Sequence, residues 1–150
     1  MRISAYGISI DLPSAWEGRI YRRPEGNPIL HAANFALPAY DGDFGSGAVS
    51  EMGAGGALLV LAEYDVDLLG QPLFAPIGVP VPLRPRDASP RALQRLVPGR
   101  FGIHHFFTVA DRPFWLYVVV GSEPGPAALI AEANRVLRTI EITPRVGAGA

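Results

Sequence analysis

The chain has no cysteine, no lysine and no long apolar run, and each absence narrows what it can be. Without cysteine there is no disulfide framework, no thiolate metal site and no cysteine nucleophile. Without lysine all 13 basic residues are arginines, and against 14 acidic residues they leave a formal net charge of -1. A chain so balanced has no overall positive field to hold nucleic acid or an anionic lipid surface, so neither partner is expected. No stretch approaches the ~20 apolar residues of a membrane span, and residues 1–7 lack the apolar run of a signal peptide. The expected address is the cytoplasm. Charge is scarce at 18% while hydrophobic residues reach 49%, which suits a chain that buries a core rather than a disordered one.

Glycine and proline are plentiful, 17 and 15 of 150 residues, and they punctuate short apolar stretches in the manner of strands joined by turns. The length suits one domain, expected over 1–144, with the small residues of 145–150 as a flexible tail. Ile8, Ile10 and Leu12 alternate with Ser9 and Asp11, a strand with one wet face that Pro13 ends. Residues 18–23 read as its return strand in a hairpin, and 29–37 as a third strand stopped at Pro38. A single helical turn is expected over 48–52. In 58–64 and 114–120 both alternate sets are largely apolar, so these strands are covered on two faces. Residues 101–109 pair with the second of them through Ala110-Asp111-Arg112-Pro113.

The clearest helix carries Leu129, Ile130, Ala133, Val136, Leu137 and Ile140 at helical spacing, with Glu132, Arg135 and Arg138 expected to face water. Ser122 and the prolines after it mark its start. One such helix cannot cover both faces of the sheet. The second cover is expected from 66–100, where seven prolines exclude a long helix or a central strand. Ser89-Pro90 followed by 91–96 reads there as a short capped helix. The fold expected is therefore α+β: a central, mostly antiparallel sheet covered by a C-terminal helix on one face and by a proline-rich segment with a short helix on the other.

The residues offer little for catalysis. Ser46, in Gly45-Ser46-Gly47, lacks the strand-to-helix setting of an exposed nucleophile. The imidazoles are His31, His104 and His105, and the last two, adjacent on a strand, point to opposite faces and cannot share a metal. Asp41, Asp43 and Glu51 could gather around a hard cation, but their order does not fit a calcium loop. Gly53-Ala54-Gly55-Gly56 precedes a strand, the reverse of a phosphate-binding loop. No catalytic residue, metal or cofactor is expected.

Two groupings remain as sites. Arg84, Arg86, Arg91, Arg95 and Arg100 crowd the proline-rich segment with Asp87 as the one acid. Clustered guanidiniums grip carboxylates or phosphates bidentately and are favoured at interfaces, which points to a surface for a protein partner or for a second copy. Arg19, Arg22 and Arg23 form a smaller patch beside Tyr21. The alternative is a small-molecule or enzyme pocket between sheet and lid, lined by Trp16, His104, His105, Trp115 and Tyr117.

The run 8–12 with Pro13 and Trp16, together with the strand 112–120 and the helix 127–140, resembles the Mog1/PsbP-like group of α+β domains. The resemblance implies a central antiparallel sheet between helices and a non-catalytic binding or assembly role, with no catalytic residues to carry over. Residues 41–56 and 66–100 have no counterpart in it. The all-arginine, alanine- and glycine-rich usage is similar to that of high-GC bacteria such as actinobacteria. The function expected is a non-catalytic soluble binding or assembly protein, with the aromatic pocket as the alternative.

Overall fold

In the computed structural model the two-faced apolar runs stand at the centre of a five-stranded antiparallel sheet. The structure describes residues 1–145. The elements are β1 (Arg2–Ala5), β2 (Ile8–Asp11), β3 (Glu17–Arg22), β4 (Pro28–Ala33), α1 (Ser46–Glu51), β5 (Ala57–Glu63), β6 (Phe101–Val109), β7 (Arg112–Val120), α2 (Pro126–Leu137) and β8 (Glu141–Ile142). The large sheet runs β3-β4-β5-β7-β6, and a small antiparallel sheet runs β1-β2-β8. The fold is α+β, as the spacing of apolar residues predicts.

Every residue of β5 and of β7 is buried, because each face of the sheet has its own apolar cover. On the first face Leu59, Leu61, Phe114, Leu116, Val118 and Val120 pack with Leu129, Ile130, Ala133, Val136 and Leu137 of α2 and with Ile8 and Ile10 of the small sheet. A fully buried aliphatic side chain contributes roughly 1.5 to 3 kcal/mol, so this helix is held mainly by area. On the second face Leu58, Val60, Ala62, Trp115, Tyr117 and Val119 meet Ala48, Val49 and Met52 of α1 and around it. The β6–β7 hairpin forms as expected, closed by Ala110 and Asp111, both at positive φ.

Several expectations are corrected. Residues 8–12 do not form a hairpin with 18–23: β2 pairs with β1 and β8, while β3 pairs with β4. The tight turn closed by the Trp16 amide on the Pro13 carbonyl (2.9 Å) carries the chain from the small sheet to the large one. The third strand ends at Ala33, not at 37, because Asn34 turns aside to accept from the Ala57 amide and donate to the Gly55 carbonyl. The predicted helix at 91–96 is absent: its one polar turn bonds to Ser89, and the Gln94 amide donates to the Tyr117 hydroxyl (2.9 Å) in place of a helical carbonyl. In α2, Glu132 does not simply face water. It accepts a hydrogen bond from Trp16 Nε1 at 2.8 Å, and Gly125 stands at the cap with no side-chain bond.

The proline-rich segment is a strap that visits both faces. It is joined to the outer edge of β6 at Thr108, through Pro76 and Gly78, and again at Gly102, through Ser89. Between those points it lies on the α2 face, where Asn134 clasps the backbone of Leu83 by both of its amide atoms (2.7 and 3.0 Å). After Ser89 it crosses to the second face, where Leu93 and Val97 pack. Gly102 is required at the crossing, since a Cβ there would stand 1.9 Å from the Ala92 carbonyl oxygen. Arg145, expected in the tail, is bound to Glu63; residues 146–150 lie outside the described residues.

Candidate functional site

The predicted pocket residues divide between the two faces. Trp16 lies on the α2 face, while Trp115 and Tyr117 belong to the other. There His104, Trp115 and Tyr117 form a stack, with ring centres 4.6 Å apart for His104–Tyr117 and 5.1 Å for Trp115–Tyr117. The polar atoms of this stack are engaged. Trp115 Nε1 donates to His104 Nδ1 (3.0 Å), so His104 is neutral there and donates through Nε2 to the Ala92 carbonyl (2.9 Å). Burial lowers the His104 pKa below the ordinary imidazole value; the Ala92 bond opposes this and the neighbouring His105 adds to it. His105 points to the opposite face by strand alternation. The stack therefore fastens the strap to the sheet. Open clefts of about 450 Å3 and 460 Å3 lie elsewhere, the first against Arg23, Phe44, Tyr64 and Leu68, the second against Arg19, Tyr21, Tyr40 and Asp43.

The acidic loop is also fastened, by residues whose role the sequence did not reveal. His31 is fully buried; its Nε2 donates to the Asp43 carbonyl (2.9 Å), and its Nδ1 lies 2.6 Å from Asp41 Oδ2. Tyr21 donates to Asp43 Oδ1 (2.9 Å), and Arg19 donates to the Pro38 carbonyl (2.6 Å). Burial, then the bond to Asp43, push the Tyr21 phenol well above its ordinary pKa. Of the carboxylates weighed as cation ligands, Asp41 and Asp43 are thus engaged by the protein's own donors, while Glu51 stands exposed and apart from them. His31 gave one signal in advance, an imidazole set in a continuous apolar strand, where a buried polar group needs partners.

A third polar cluster joins the sheets. Glu63, buried at the end of β5, accepts from Arg112 Nε at Oε2 (3.1 Å) and from Arg112 Nη2 at Oε1 (2.7 Å), and Arg145 Nε donates to the same Oε2 (2.6 Å). Arg112 also donates to the Tyr6 and Thr143 carbonyls (2.9 and 2.8 Å). Each of these donors has a structural acceptor, so the cluster is a brace between β5, β7 and the small sheet.

The chain matches no protein-family model, no curated protein and no solved structure.

The arginines of the strap contrast with these engaged groups. Arg84, Arg86, Arg91 and Arg95 are exposed, and none lies within ion-pair distance of a carboxylate among the described residues. Arg100 separates from them. It is half-buried and donates to the Met52 carbonyl, closing the end of α1. The strap also exposes apolar side chains, with Leu73 54%, Ile77 81% and Leu96 68% accessible. Four cations and several apolar side chains thus stand on one irregular segment that β6 holds at two points.

Proposed function

We propose that this protein is a non-catalytic binding or assembly factor that contacts a protein partner, or a second copy, through the arginine-bearing strap. The observation that carries the reading is the four exposed guanidiniums, none within ion-pair distance of a carboxylate among the described residues. Exposed, unpaired arginines retain all their donors for a carboxylate-bearing surface. The engaged nitrogens of His31 and His104 favour binding over catalysis, because a general base needs a nitrogen free for its substrate. The resemblance of β2, Trp16, β7 and α2 to the Mog1/PsbP-like group points the same way and belongs to this proposal. No helix among the described residues is long and apolar enough to cross a membrane; the cytoplasm is the address proposed.

The test is fluorescence anisotropy with a labelled ten-residue glutamate peptide at low and high salt, alongside sedimentation velocity of the protein alone. Binding, or self-association, that weakens with salt and is lost in the double variant Arg91→Glu, Arg95→Glu supports the proposal. If the double variant behaves as the parent in both measurements, the strap arginines are only a solvated surface and the proposal fails.

A further inference from the structure

The outer edge of the large sheet is interrupted at one place. Along β6 the even residues turn their backbone groups away from β7: Gly102 exchanges both bonds with Ser89, and Thr108 donates to Pro76 and accepts from Gly78. By the same alternation His104 and Phe106 face outward, and their N–H and C=O groups have no backbone partner among the described residues. The two bridges stand six residues apart, about 20 Å of extended chain, and leave the window 104–106 unpaired between them. Both residues of the window are partly accessible. Unpaired edge groups of this kind are a template for another strand.

Resting on the binding role proposed above, we infer that this window pairs with a short extended segment of an acidic partner, which adds a strand to β6 beneath the strap arginines. Charge selects the occupant. Arg91 follows the Ser89 bridge by two residues and Arg84 and Arg86 precede it by five and three, against the single acid Asp87 two residues before it, so the chain about the Gly102 end of the window is positive on balance. A second copy pairing edge to edge would set one arginine-bearing strap against another, and like charges so placed repel. An acidic segment instead places its carboxylates against those guanidiniums, while its backbone supplies two acceptors and two donors to His104 and Phe106. Two bridges also limit length: the flanking strap leaves room for a few residues only, so long strands and edge-to-edge aggregation are excluded while a short peptide fits.

The experiment uses the full chain labelled with nitrogen-15 and two synthetic hexapeptides alternating glutamate and valine. One has an ordinary backbone; the other is N-methylated at alternate residues, which removes strand hydrogen bonds and leaves the charge unchanged. Amide exchange and chemical shifts are followed during titration. The expected result is that the ordinary peptide slows exchange at His104 and Phe106, and that the methylated peptide binds at least about tenfold more weakly, the loss expected when one to two hydrogen bonds go unmade. Equal affinity of the two peptides, with both lost in the Arg91→Glu, Arg95→Glu variant, overturns the edge site and leaves the proposed arginine-mediated role standing. No binding of either peptide overturns the edge site and its acidic occupant, and leaves only the second-copy form of the proposed role, which the sedimentation measurement decides. Protection of His104 and Phe106 that rises with protein concentration in the absence of peptide assigns the window to a second copy and overturns the acidic occupant.

Discussion

The two faces of the large sheet are covered by different physics. On one, α2 lies with Leu129, Ile130, Ala133, Val136 and Leu137 buried against the strands, its backbone bonds satisfied within the helix. On the other, beside the short α1, the acidic loop and residues 91–97 bring irregular chain, whose backbone groups must find partners elsewhere. They find them in side chains: His31 for Asp43, Arg19 for Pro38, Tyr117 for Gln94, His104 for Ala92. A regular element can be held by apolar area alone, whereas an irregular one is stapled, and staples are local. The Asn134 clasp on Leu83 shows the rule where strap and helix meet, since even the apolar face uses a polar pair to hold irregular chain.

Substitutions on the two faces separate these modes. Ile130→Ala removes a buried side chain from the α2 face and is expected to cost about 3 kcal/mol, within the usual range for such a cavity. The loss should appear as a lower Tm of the whole molecule; an unchanged Tm would show that α2 is not part of the cooperative core. His31→Phe is expected to cost about 2 kcal/mol, the penalty of leaving a buried acceptor unmet, and to act locally. Amide exchange should quicken across residues 38–45 well before it does in β5 or β7, and uniform quickening would contradict the staple. The smallest effect is one of pH. His104 has a depressed proton affinity when folded, so below the unfolded imidazole pKa of about 6.5 the unfolded chain binds more protons. Stability is therefore fully present above that range and falls as pH drops below it. His104→Gln should flatten the fall between pH 7 and 5 in denaturant melts; parallel slopes for parent and variant would remove His104 from the account.

Much of the large sheet was legible in the sequence, for reasons that are local. Residues 58–62 and 114–120 carry apolar side chains in both alternate sets, which only a strand covered twice tolerates, and the assignment of each set to a face agrees with the two cores. The α2 stripe was legible for the same reason, and so was a reversal after Val109, although the turn is Ala110-Asp111 alone and Arg112 and Pro113 already belong to β7. β1 was not legible, because its four residues, two exposed and two half-buried, hold a single large apolar side chain, Ile3, too little to show a period. The helix expected at 91–96 failed because a tyrosine hydroxyl 23 residues away competes for the Gln94 amide. Of the candidate sites, the arginine cluster was readable as composition, but the inward turn of Arg100 and the outward turn of its neighbours were not. The aromatic set was readable as side chains and not as a place, since nothing in the spacing says that Trp16 and Trp115 stand on opposite sides of one sheet.

By itself the sequence determined the class of fold, the central strands, the closing helix and the absence of thiol and lysine chemistry, because periodicity, turn residues and composition act over a few neighbouring positions. Tertiary structure alone decided that β2 pairs with β1 and β8, that the strap crosses from one face to the other at Gly102, and that His104 and Phe106 are left unpaired between its two bridges. Those outcomes depend on contacts such as Trp16 with Glu132, 116 residues apart, and Arg112 with Tyr6, 106 apart. A polar group far along the chain becomes a partner only after the core has brought it near.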